Sequence, residues 1–80
     1  MEEMTQEQIQ GSVRAAFDSV NLINEQILLP LTDETSDSVD RNYRHLQVML
    51  SKDWFSEALT TEERAAIDKS IEDSLTYLNV

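Results

Sequence analysis

The sequence predicts an all-α fold, either a small three- to four-helix bundle or a helical hairpin with an added helix. One glycine and one proline in 80 residues are too few chain breakers for a turn-rich β fold. Three longer segments each follow helix-start residues, and their apolar residues recur at helical spacing. We expect a single helical domain over residues 1–80, with helices at about 6–28, 33–50, 52–58 and 61–78.

The first helix has the clearest signals. Thr5 and Gln8 form a capping-box pattern at its start, and Pro30 disfavours helical geometry at the residue before it, so the helix should end near Leu28. Phe17 and Leu28 widen its apolar stripe. The stripe itself has the 4, 3, 4, 3, 4 spacing of a heptad seam and consists of Ile9, Val13, Ala16, Val20, Ile23 and Ile27.

This seam has two interpretations. Packing inside a bundle and self-association of two helices use the same pattern of apolar residues. A chain this short buries only about 60% of the surface that its unfolded form exposes, so an apolar face left uncovered could be completed by another molecule. Val13, Val20 and Ile27 are therefore candidate interface residues.

The second helix follows a polar connector that offers several start points. It begins at one of three cap residues, which are Thr32, Ser36 and Ser38. Its apolar stripe consists of Val39, Tyr43, Leu46 and Leu50. Two pairs of opposite charge at i,i+4 spacing are expected on its solvent face, Asp37 with Arg41 and Asp40 with Arg44.

Residues 52–59 are either a bent continuation of the second helix or a short separate helix, and we favour the separate helix. A final long helix follows. Ser51 is expected to cap the short helix, and Thr60 with Glu63 repeats the capping box. The apolar face of the last helix consists of Ile67, Ile71, Leu75 and Leu78. Because no glycine follows to cap it, we expect its last turn to fray unless a partner covers it.

Trp54 and Phe55 are adjacent, and neighbouring side chains on a helix point about 100° apart. They cannot both face one narrow core. Either a wide core accepts both rings, or one of them is an anchor for a binding partner. Both residues therefore join the candidate interface.

Charge restricts the class of partner. Sixteen acidic residues oppose six basic ones, which gives a formal net charge of −10 that repels nucleic acid and anionic lipid. We expect neither direct nucleic-acid binding nor membrane association. The opening residues lack the pattern of a signal peptide, no run is long enough to span a bilayer, and the sequence has no cysteine, so the expected location is the cytoplasm.

The sequence offers no set of residues for catalysis. The single histidine, His45, has no cysteine or second histidine to join in a metal site or a nucleophile pair. Residues 33–44 fail as a calcium loop because Ser38 replaces the required glycine and Arg44 replaces the final glutamate. We expect a protein that is not an enzyme and that holds neither cofactor nor metal.

The segment RNYRHLQVMLSKDWFSEAL, followed by TTEERAAIDKSI, resembles short helical proteins that tailed bacteriophages encode. The resemblance covers residues 41–71, less than half of the chain, and consists of helix-forming residues and caps. It implies a virion accessory protein or a small factor directed at the host, located in the host cytoplasm or the virion. It assigns no functional residue.

Two function hypotheses follow. In the first, the protein is a non-enzymatic interaction or assembly protein, such as a phage structural accessory component, that packs against itself or a larger partner. In the second, it is an acidic inhibitor that occupies a basic, nucleic-acid-binding site on a host enzyme. The candidate acidic surface for this second hypothesis consists of Asp33, Glu34, Asp37 and Asp40.

Overall fold

A computed structural model describes residues 4–79, which form four α-helices and contain no strand. The helices are α1 (Gln6–Gln26), α2 (Asp33–Leu50), α3 (Asp53–Ala58) and α4 (Thr61–Leu78). The helix α1 packs against the other three, and α2 also packs against α3 and α4. The protein is therefore a small all-α bundle, as the sequence predicts.

Capping boxes start all three long helices. Thr5 and Gln8 cap α1, and Thr60 with Glu63 caps α4, as their spacing predicts. Thr32 is the cap of α2, the earliest of its three candidate start points, and here Thr35 supplies the reciprocal side chain. In each box a side-chain oxygen accepts a hydrogen bond from a backbone N–H that the first helical turn leaves free.

The start of α3 differs from the prediction. Its N-cap is Lys52, which makes no side-chain capping hydrogen bond, and Ser51 is instead the C-cap of α2. The Ser51 backbone is helical, and its hydroxyl donates to the Val48 carbonyl at 2.6 Å. The prediction that Ser51 caps α3 is wrong because its side chain bonds backwards to the preceding helix.

The end of α4 also differs from the prediction of a frayed turn. Asn79 adopts the left-handed conformation, with φ 59° and ψ 46°, and its N–H bonds the carbonyls of Leu75 and Thr76. Asparagine is one of the few residues other than glycine that adopts this conformation readily. Asn79 therefore ends the helix with a defined cap.

All four helices contribute to the core. Small polar residues line the helix contacts beside the apolar ones, and the Ser74 hydroxyl, with no exposed surface, donates to the Ser70 carbonyl at 2.7 Å. The buried polar residues are Ser19, Thr35, Ser70 and Ser74. The buried apolar residues are Ala16, Val20, Ile23, Val39, Tyr43, Leu46, Phe55 and Ile67.

Three surface ion pairs follow the i,i+4 rule within residues 4–79: Asp40 with Arg44, Arg64 with Asp68 and Lys69 with Asp73. The hydrogen bond that Lys69 donates to Asp73, together with the charge of that carboxylate, raises the pKa of Lys69. Of the two pairs expected on α2, the structure forms only Asp40–Arg44. Solvent-exposed pairs of this kind contribute little to stability, so the apolar core holds the fold together.

Candidate functional site

The structure separates the predicted interface residues into two groups. Val20 is 4% exposed and Phe55 is fully buried, so neither can contact another molecule unless the bundle opens. This corrects their assignment to an interface, because Val20 of α1 and Phe55 of α3 both pack in the core of the same chain. Val13, Ile27 and Trp54 are half-buried and border the core.

The two adjacent aromatic residues take different positions. Phe55 lies inside the core, and Trp54 packs against its ring edge-on, with ring centroids 6.1 Å apart and an interplanar angle of 85°. Edge-to-face packing is a preferred geometry of aromatic pairs. Trp54 thus keeps part of its ring at the surface while the rest supports the core.

Three of the five exposed large apolar residues among residues 4–79, including the most exposed one, lie in the segment between α1 and α2. We call residues 27–31, with the sequence Ile-Leu-Leu-Pro-Leu, the leucine connector. Leu28 is 84% exposed, Leu29 is 49% exposed and Leu31 is 55% exposed. The expectation that Leu28 widens the buried stripe of the first helix is wrong, because α1 ends at Gln26 and Leu28 lies in the turn beyond it. The sequence signal for this surface was an apolar run around the only proline.

The leucine connector is held in place by hydrogen bonds. Its first turn is closed by Leu28 N–H to the Glu25 carbonyl at 3.3 Å and by Leu29 N–H to the Gln26 carbonyl at 3.0 Å. The Tyr77 hydroxyl of α4 lies 2.9 Å from the Leu29 carbonyl oxygen and 2.9 Å from Thr35 Oγ1, and its proton can be donated to either. The connector is therefore fixed to both α2 and α4.

Negative charge surrounds the leucine connector. No lysine or arginine occurs between Arg14 and Arg41, whereas Asp33, Glu34 and Asp37 follow the connector directly and are exposed. None of these three carboxylates forms an ion pair with the residues that the structure describes. The C-terminal ends of α1 and α4 also carry partial negative charge, with no basic residue in either last turn, and the N-terminus of α2 carries partial positive charge.

Asp40 is different from the other members of the predicted acidic surface. It is half-buried, and Arg44 Nε donates to its carboxylate at 3.0 Å. This hydrogen bond and the carboxylate charge raise the pKa of Arg44. Among the described residues, the predicted acidic side chains that form no ion pair are therefore those at the start of α2, and this surface ends at Asp40, which pairs with Arg44.

A second surface lies where the beginning of α1 meets α3 and α4. Two adjacent shallow cavities of about 270 and 330 Å³ share Gln6, Ile9 and Ala58 in their walls. Val13 lines the first cavity and Trp54 the second, so the structure brings these two predicted interface residues to one groove. The remaining walls include Gln10, Glu57 and Glu63.

His45 has a partner that sequence reasoning missed. Its Nδ1 lies 3.1 Å from the hydroxyl of Ser19, 26 residues away, and this hydrogen bond joins α2 to α1. Ser19 is buried in the middle of a helix, where backbone N–H groups already bond within the helix and cannot stabilise an oxyanion. The pair is best understood as an interhelical hydrogen bond.

Within residues 4–79, no group of three or more histidine, aspartate and glutamate side chains is arranged to hold a metal ion. None of the described helices is both long and apolar enough to cross a membrane. No protein-family model, curated protein or solved structure matches this chain.

Proposed function

We propose that this is a non-enzymatic protein–protein interaction or assembly protein that binds through the leucine connector. The observation that carries the proposal is the pairing of high exposure with a fixed backbone: Leu28 is 84% exposed, yet Tyr77 holds the neighbouring Leu29 carbonyl. Single exposed leucines are ordinary, but an exposed apolar run marks a site of contact. A phage structural accessory component is one such protein.

The energetics favour this use of the connector. Complete burial of one leucine side chain contributes about 1.5–3 kcal/mol. Because the connector is already ordered by hydrogen bonds, binding would not have to supply the full conformational entropy of fixing it. Burial of Leu28 and Leu31 in a partner's pocket would stabilise the complex by several kcal/mol, from which the entropy lost on association must be subtracted.

A second candidate function is an acidic inhibitor of a basic, nucleic-acid-binding site on a host enzyme. The observation that favours it is the exposed, unpaired state of Asp33, Glu34 and Asp37 within the described residues. Carboxylates on a rigid helix can occupy positions that phosphates otherwise take. Two of the three also lie in the first turn of α2, where acidic residues favour the helix dipole, so stability accounts for part of this charge.

The proposal is tested by comparing what the native chain and a connector variant bind. The variant carries Leu28→Ser and Leu31→Ser, and both chains are immobilised and exposed to bacterial lysate. We expect the variant to lose proteins that the native chain retains, because it lacks the two most exposed connector leucines. Light scattering over a hundredfold range of concentration measures self-association in the same two chains.

Val48→Ser is the matched control, since Val48 and Leu31 are both 55% exposed. The control removes one exposed apolar side chain, equal to Leu31 in exposed fraction, from the last turn of α2, away from the connector. It should retain the same proteins as the native chain. If the connector variant keeps the native set of bound proteins and the native mass, the connector is not a binding surface and the proposal is wrong.

A further inference from the structure

We infer that the leucine connector binds a partner protein whose apolar pocket is edged by lysine or arginine, and not a second copy of this chain. This inference rests on the proposed function and names the chemistry of its partner. It draws on two neighbouring features: the exposed leucines at 27–31 and the unpaired carboxylates that begin α2.

The two features belong to one continuous surface. Asp33 and Glu34 occupy the first turn of α2, within three residues of Leu31. Thr35 of the same turn points inward to Tyr77, and Asp37 lies one turn beyond Asp33 on the outward side. A pocket that accepts Leu28 or Leu31 would therefore bring its rim close to these carboxylates.

The charges around this surface favour a basic rim. Every charged residue between Arg14 and Arg41 is acidic, and the full charges of these carboxylates exceed the partial positive charge at the N-terminus of α2. A neutral or acidic rim would desolvate these carboxylates without compensation. Lysine or arginine at the rim would pair with them and would also exclude acidic competitors.

A second copy is a poor match for the same reason. Each chain has a net charge of −10, and the groove where α1 meets α3 and α4 is bordered by Glu57 and Glu63. Inserting the connector of one copy into this groove would place Asp33 and Glu34 near those glutamates. Like charges placed opposite each other oppose association.

The test uses the full chain, labelled with ¹⁵N, and three synthetic peptides. The first is an amphipathic helix of about five turns with leucine on one face and lysine on the other. The second replaces every lysine with glutamate, and the third is a lysine oligomer without leucine. We expect only the first to bind tightly, with amide shifts confined to the leucine connector and the start of α2.

Variants separate the apolar and the charged contributions. Leu28→Ser with Leu31→Ser should weaken binding of the first peptide about tenfold or more, and Val48→Ser should leave it unchanged. Glu34→Gln should weaken it about two- to threefold, because an exposed charge pair is worth little. Raising sodium chloride from about 50 to about 300 mM should weaken it further through screening.

Glu7→Gln is the control for Glu34→Gln, because Glu7 is an exposed carboxylate in the first turn of α1, at the other end of the bundle. It should leave binding unchanged. The inference is wrong if the glutamate peptide or the lysine oligomer binds as tightly as the first peptide, or if the shifts map to the groove at Ile9 and Trp54. It is also wrong if dilution of the free chain alone shifts the connector amides, which would identify a second copy as the occupant.

The two proposals fail in different ways. If lysate capture depends on Leu28 and Leu31 but the lysine peptide has no advantage over the glutamate peptide, the connector remains a binding surface and only the basic partner is excluded. If replacing Leu28 and Leu31 changes neither the proteins captured from lysate nor the mass of the chain in solution, both proposals are wrong.

Discussion

Tyr77 connects parts of the chain that are distant in sequence. Its hydroxyl reaches the Leu29 carbonyl across 48 residues and the Thr35 hydroxyl across 42. Thr35 Oγ1 also accepts from the Thr32 N–H at 2.8 Å and therefore belongs to the cap of α2. A single phenol thus orders the leucine connector, the start of α2 and the last turn of α4 together.

Tyr77→Phe should lower the free energy of unfolding by about 1 kcal/mol, the usual contribution of one hydrogen bond. The ring stays in place, so the loss isolates the hydroxyl. Urea denaturation measures this change, and hydrogen exchange at Leu29 should become faster because the connector is freed from α4.

Thr35 provides the check on this prediction. Thr35→Val removes the hydroxyl that Tyr77 contacts, whereas Thr35→Ser keeps it. In a double-mutant cycle, Tyr77→Phe should cost less in the Thr35→Val background than in the native chain. Additive losses would show that the two hydroxyls do not interact.

The hydroxyl contacts were the least predictable part of the structure. Ser19, Ser70 and Ser74 are polar, yet all three are buried. The Ser19 hydroxyl forms a hydrogen bond with His45, and the Ser74 hydroxyl donates to the Ser70 carbonyl. Tyr77 lies outside the apolar stripe assigned to the last helix. These positions depend on partners in other helices, and helical periodicity in a single segment carries no information about such partners.

At the scale of the elements, the helices differ in how they begin. The three long helices have reciprocal capping boxes, whereas the N-cap of α3, Lys52, makes no side-chain capping bond. The Lys52 backbone has the extended geometry of a cap, with φ −93° and ψ 120°. The position is therefore suited to a capping side chain that the sequence does not supply.

Lys52→Asp should stabilise the protein by about 0.5–1 kcal/mol, because the carboxylate can accept a free N–H of α3 and favours the helix dipole. Thermal unfolding followed by circular dichroism measures the gain. Lys52→Ala is the control, since it removes the same lysine without adding an acceptor. Equal stability of the two variants would show that α3 gains nothing from a cap.

Most element boundaries were predictable because their causes are local. Thr5 with Gln8 and Thr60 with Glu63 act within one turn, so their spacing is enough to locate the starts of α1 and α4. The end of α1 was predicted two residues too late. Before Pro30, the N–H groups of Leu28 and Leu29 bond to carbonyls three residues back, so the α-helical pattern has already ended. Residue spacing does not show whether a last turn has the α or the tighter hydrogen-bond pattern.

At the scale of the whole molecule, the structure buries two of the five predicted interface residues, Val20 and Phe55, in the core. The seam of α1 was compatible with either an internal or an external neighbour, and the structure gives it internal ones, with Val20 and Ile23 in the core. The spacing of apolar residues in one helix does not reveal how many other helices pack against it, or whether they belong to the same chain. Val13 and Trp54 remain at a groove, and Ile27 becomes the first residue of the leucine connector.

The net charge of −10 should make stability depend on salt. Repulsion among the carboxylates opposes the folded state at low ionic strength, and screening relieves it. Moving from about 10 mM to about 0.5 M sodium chloride should raise the melting temperature by about 4–8 °C, the shift that corresponds to 1 kcal/mol in a domain of this size. Differential scanning calorimetry measures it.

Glu57→Lys combined with Glu72→Lys tests the origin of this salt effect. Both glutamates are exposed, and the two substitutions lower the net negative charge. The variant should melt at a higher temperature than the native chain in low salt and should respond less to added salt. An unchanged salt response would mean that ion-specific effects, and not self-repulsion, govern stability.

The position of Trp54 has a consequence for spectroscopy. It is the only tryptophan, and it lies on α3 beside Phe55, at the groove that includes Ile9 near the start of α1. The leucine connector follows the opposite end of α1, a helix about 30 Å long at 1.5 Å per residue. Its fluorescence emission therefore reports on the core and on the groove that it lines. A ligand seated at the connector would leave the emission maximum unchanged, whereas a ligand in the groove would shift it, so one intrinsic fluorophore distinguishes the two ends of the bundle.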